Sequence, residues 1–138
     1  MLPRMFDSLL PLTTDSDLVA MVDDLVGLPL RRQTWVFLLD DEQRMAPLVV
    51  PMDGVPADPA PEDVATMADR IHTLVAAVPE AATAVLVWER AGGPDPRMLE
   101  ADWIAALAAS GAPIRAQLIA SDDGAVVVDP AFATLVAD

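Results

Sequence analysis

The chain has no cysteine, no lysine, no asparagine and no tyrosine, and a single histidine. Without cysteine there are no disulfides, no thiol nucleophile and no cysteine-based zinc or iron–sulfur site. Without lysine there is no phosphate-binding loop of the Walker type. Aromatic residues are scarce at 4% of the chain. Positive charge is also scarce. Eight basic residues, all arginine, face twenty-two acidic ones, for a net charge of −14. Such a surface repels phosphate backbones and anionic lipid, so nucleic acid and membrane are not expected partners. A basic protein partner is compatible with it, as is plain solubility. No apolar run is long enough to span a bilayer. The N-terminal stretch is broken by Pro3, Asp7 and Pro11 and makes a poor signal peptide. The expected compartment is the cytoplasm. The residue usage, rich in Ala, Pro, Asp, Val and Arg, points to a high-GC bacterial genome.

At 138 residues the chain is expected to form one domain. A chain of this size buries about two-thirds of its unfolded surface and needs no staples. Residues 1–14 form an apolar lead-in with Leu2, Met5, Phe6, Leu9, Leu10 and Leu12. A frayed end, a strap across the core and a patch for a partner are the readings, and the strap is the preferred one, since exposed apolar clusters of this size are uncommon on monomers. Thr14-Asp15-Ser16-Asp17 has the capping and acidic residues of a helix start. Leu18, Met21, Val22 and Leu25 then repeat at helical spacing, and Gly27 and Pro29 end the helix.

Thr34 to Leu39 is a nearly continuous apolar run, as in a strand buried on both faces. Asp40 to Arg44 forms a polar turn, and Ala46 to Pro51 returns as the second strand of a hairpin. Pro47 and Pro51 cannot donate ladder hydrogen bonds, which assigns that strand to an edge. After a proline-rich loop, Pro61-Glu62-Asp63 opens the clearest amphipathic helix. Its stripe is Val64, Met67, Ala68, Ile71, Leu74, Val75 and Val78, and Pro79 closes it.

Ala84 to Trp88 is a second doubly buried strand. A Gly/Pro loop follows, then a helix capped by Asp95 and started by Pro96. Leu99, Trp103, Ala106 and Leu107 form its inner face, and Gly111 forms its left-handed end. Ile114 to Ala120, the turn Ser121 to Gly124, and Ala125 to Val128 make a closing hairpin. Residues 130–138 are a short tail. The order α-ββ-α-β-α-ββ implies a layered α/β domain with a mixed sheet of five strands.

The chemistry-bearing residues are few. His72 lies at the margin of the apolar stripe, three residues after Asp69. A general base oriented by a carboxylate is one reading. A surface residue with a weak contact along its helix is the blander one, and the preferred one. Acidic clusters at Asp15/Asp17, Asp23/Asp24, Asp40/Asp41/Glu42 and Asp122/Asp123 lack the ligand order of a calcium loop. Glu89, Asp95 and Asp102 flank the loop after the central strand, a place where α/β proteins often bind ligands.

The sequence of strand, Gly/Pro loop with Asp95-Pro96, helix with Asp102, then strand and hairpin resembles the second half of RadC-type JAB (MPN) domains. The likeness covers residues 34–129 in topology. That family holds zinc with a His-x-His pair, a Ser position, an Asp and an upstream Glu. In the ungapped match, the two His positions fall on Glu89 and Ala91, the Ser position on Leu99 and the final Asp on Asp102. The resemblance therefore implies a domain that has lost its metal site, without metal or cofactor. The start of the chain also resembles small α/β domains of actinobacteria, which implies no activity.

Three functions follow as expectations. The first is a non-catalytic protein-interaction or regulatory module, with Leu2, Met5, Phe6, Leu9 and Leu10 as candidate partner-binding residues and a homo-oligomer possible. The second is an acidic binder of a basic protein, of the immunity type. The third is a carboxylate-based enzyme working at the 89–102 loop.

Overall fold

A computed structural model describes residues 11–27, 32–52, 54–56, 58–90, 100–131 and 133, with Pro47 described in its backbone alone. The elements are α1 (Asp15–Val26), β1 (Gln33–Asp40), β2 (Met45–Met52), α2 (Pro61–Ala77), β3 (Ala81–Glu89), α3 (Ala101–Ala109), β4 (Ile114–Ser121) and β5 (Gly124–Val127). Their order is the expected one.

The strands form one mixed sheet in the order β2-β1-β3-β4-β5. β1 pairs antiparallel with both β2 and β3, β3 pairs parallel with β4, and β4 pairs antiparallel with β5. β1 and β3 are central because their side chains are apolar on both faces. Phe37, Leu39, Val85 and Val87 enter one core, while Val36, Leu38, Ala84, Leu86 and Trp88 enter the other. The proline-bearing β2 takes an edge, as Pro47 and Pro51 require.

α2 and α3 cover the face with Trp88, and their Met67, Ile71, Trp103, Ile104 and Leu107 complete that core. α1 packs on the opposite face against β4 and β5, with Leu18, Met21 and Val22 fully buried. The result is three layers, helix on sheet on helix.

Local chemistry explains the element ends. The Thr14 hydroxyl accepts from the Asp17 N–H at 3.1 Å, and the Asp17 carboxylate accepts from the Thr14 N–H at 3.1 Å, a reciprocal capping box. Hydrogen bonds from the Thr14 backbone, with those from its side chain and from Thr13, hold the Asp17 carboxyl below its ordinary pKa. In the β1–β2 turn, Asp40 Oδ1 accepts from the N–H groups of Glu42 and Arg44 at 2.9 and 2.8 Å. Gln43 takes the left-handed conformation there, with φ of 62°. The Arg115 side chain then clamps the turn, its Nε donating to Gln43 Oε1 at 3.0 Å. Gly111 has φ of 82°, as its place after α3 predicts.

Two helix phases differ from expectation. Leu25 is 42% exposed, while Val26 of the same turn packs against the α1-side core. On α3, Ile104 is fully buried and Ala106 only half-buried, since Trp103, Ile104 and Leu107 form the stripe that meets the sheet. Leu12, at the end of the apolar lead-in, is buried in the α1-side core, and its N–H donates to Gln43 O at 2.7 Å. Leu2, Met5, Phe6, Leu9 and Leu10 lie outside the described residues, as do Asp95 and Leu99.

Candidate functional site

The carboxyl end of β3 gathers most of the buried polar groups. Side chains alternate along the strand, so Glu89 falls on the α1 side with Val85 and Val87, and Trp88 on the side of α2 and α3. Glu89 is 7% exposed. Its Oε1 accepts from the Trp35 indole N–H at 2.9 Å. Next to it in register, Gln33 is buried and its Nε2 donates to Met52 O at 3.1 Å.

The other side of the sheet holds a second network. Glu100 precedes α3 and is 1% exposed. Its Oε2 lies 3.3 Å from Arg90 Nη1. Burial pushes the Glu100 pKa up, against the opposing pull of the Arg90 and Arg32 guanidinium charges. Arg32 donates to the carbonyls of Val55 and Pro56 at 2.6 and 3.2 Å. The Trp103 indole N–H reaches the same Pro56 carbonyl at 2.7 Å. The rings of Trp103 and Trp88 lie 5.7 Å apart and tilted by 36°, within the favoured range for aromatic pairs. Trp88 in turn donates to Gln117 Oε1 at 3.1 Å, and Gln117 Nε2 donates to Ile104 O at 3.0 Å. Hydrogen bonds and a ring contact thus tie Arg32 ahead of β1, the 54–56 loop, α3, β3 and β4 together.

Of the expected carboxylates, the two described ones, Glu89 and Asp102, lie on opposite faces of the sheet. Glu89 serves the α1 side, while Asp102, half-buried in the first turn of α3, belongs to the opposite layer. Asp95 lies outside the described residues. His72 and Asp69 are both exposed on α2. Glu100, Arg90 and Arg32 were not among the residues the sequence singled out. Among the described residues no group of three or more His, Asp or Glu side chains is placed to hold a metal ion.

A large concavity among the described residues lies elsewhere. An open groove of about 720 Å³ runs between the outer flank of α1 and the edge strand β5. Asp15, Asp23 and Asp24 are exposed along it. No helix among the described residues is long and apolar enough to cross a membrane. No family model, curated protein or solved structure matches this chain.

Proposed function

We propose that the chain is a non-catalytic protein-interaction module whose partner is a basic protein. The distribution of charge carries this reading. Two side-chain ion pairs are found among the described residues, Arg44–Glu42 and Arg90–Glu100. Arg32 and Arg115 spend their guanidinium groups on backbone carbonyls and an amide oxygen. Arg32, Arg44, Arg90 and Arg115 are thus engaged within the chain, and the acidic residues of α1 face solvent. The surface is suited to steering and holding a positively charged partner.

The test is affinity capture from native lysate, followed by titration of the purified partner at two salt concentrations. A basic partner whose affinity falls with added salt is the expected result. A partner bound equally well at both concentrations, or one that is itself acidic, overturns the reading.

A carboxylate enzyme is the second reading, and the raised proton affinity of buried Glu100 is the observation that favours it. It requires a reaction that Glu100→Gln abolishes while the fold persists.

A further inference from the structure

The geometry points to strand addition at β5: an extended segment of a partner protein, basic on one face and apolar on the other, pairs with this edge beneath the flank of α1. This rests on the interaction reading and names its surface.

The backbone of β5 shows which groups are on offer. Val128 N–H donates to Gln117 O, which makes 117 and 128 a mutually bonded pair. In an antiparallel ladder bonded and non-bonded pairs alternate, so Ile119↔Val126 is also bonded, and Leu118↔Val127 and Ala120↔Ala125 are not. The N–H and C=O groups of Ala125 and Val127 therefore point off the sheet. The Ala125 N–H is met by Asp23 Oδ1 at 2.9 Å. Among the described residues no strand lies beyond β5, which ends the sheet. A sheet edge of this kind is a template for another strand, once the Ala125 N–H is exchanged from Asp23.

The walls say what kind of strand fits. A strand added about 4.8 Å beyond β5 sends alternate side chains to opposite faces. On one face they run along α1, where Val19 and Ala20 are flanked by Asp15, Asp23 and Asp24. Arginine suits that wall, its aliphatic stem on Val19 and Ala20 and its head at the carboxylates. On the other face they meet Val126, which is 38% exposed. An apolar residue suits that side. The incoming carbonyl takes over the Ala125 N–H, which frees the Asp23 carboxylate for an incoming cation. A second copy of this chain is the wrong occupant. Each copy carries a net charge of −14, and pairing of two β5 edges sets their acidic α1 flanks side by side.

The probe is a synthetic ten-residue peptide of alternating arginine and valine. Its twin has the same charge but carries N-methyl groups on the backbone amides of one edge. Titrated into the wild-type protein at physiological salt, the first peptide is expected to bind, and its twin about tenfold or more weaker, since only strand pairing needs those amides. Amide shifts are expected to concentrate in β5 and α1, with the Val127 amide gaining protection from exchange. Asp15→Arg with Asp24→Arg is expected to weaken binding about tenfold. Equal binding of the two peptides, or shifts spread over other faces, overturns the proposal, as does a stable dimer of the free protein through β5. If a native basic partner is captured yet leaves β5 unperturbed, the strand-addition site is wrong and the interaction reading stands. If the peptide pairs with β5 but no basic partner is captured, the reverse holds.

Discussion

Replacing Gln117 with leucine asks how much the indole–amide relay contributes to the core. Gln117 is 3% exposed and Trp88 2%, so water does not substitute for a lost partner. Leucine leaves the Trp88 N–H without its acceptor, at a cost of about 1–3 kcal/mol. It also removes the Gln117–Ile104 hydrogen bond, worth about 1 kcal/mol net. Better burial of an apolar side chain returns about 1 kcal/mol. The expected loss is therefore about 1–3 kcal/mol, and each kcal/mol lowers Tm by about 4 °C in a domain of this size. Urea unfolding followed by far-UV circular dichroism measures it, with an unchanged m-value as the condition for comparison. Trp88→Phe and the double variant complete a cycle. The double variant is expected to lose about 1–2 kcal/mol less than the sum of the singles, because no donor is then stranded. A Gln117→Leu variant within about 0.5 kcal/mol of wild type, or an additive cycle, refutes the reasoning.

Other expectations concern single groups. Because the folded-state pKa of Glu100 is raised, the folded protein holds its proton more tightly than the unfolded chain does. The stability it confers is fully present below its ordinary pKa and is lost as pH rises through the raised value. Glu100→Gln removes that dependence, so the stability of the variant relative to wild type is expected to rise with pH across that window. A flat difference in paired denaturation curves from acid to neutral pH contradicts this. Thr14→Ala deletes the side-chain half of the capping box and is expected to cost about 1 kcal/mol, read as a shift of the urea midpoint. Gly111→Ala meets no atom within 4 Å, so its expected cost is the backbone penalty alone, about 1–2 kcal/mol. A stability equal to wild type would show that the left-handed conformation is not kept.

The fold was legible where one physical constraint acts alone. Two runs apolar on both faces can only be central strands, and two prolines in the next run can only suit an edge. The stripe of α2 follows from its period, and Met67, Ala68 and Ile71 are buried as it requires. The phase of α3 was harder, because alanines beside Trp103 and Leu107 make several faces equally apolar and leave Ile104 to be placed by the sheet. The polar interior was not legible. Glu100 meets Arg90 across a ten-residue separation, and Trp103 meets Pro56 across forty-seven. No periodicity marks such pairs, since each is created by the approach of layers. Gln33 and Gln117 look like surface residues for the same reason. The groove was equally hidden, for it joins α1 to a strand roughly a hundred residues later in the chain.

That last pairing has a consequence for synthesis. α1 is translated before every strand of the sheet, and β4 and β5, which pack against it, follow the other three strands. At a translation rate of about 5–20 residues per second, the interval between Val22 and Val127 is about 5–20 s. Helix formation takes about a microsecond, so α1 waits through millions of its own folding times before its seat exists. The apolar stripe of that helix is then without its native cover, and the Asp23 carboxylate without its Ala125 N–H. Like charge on the acidic residues beside the stripe opposes association of such segments before β4 and β5 arrive.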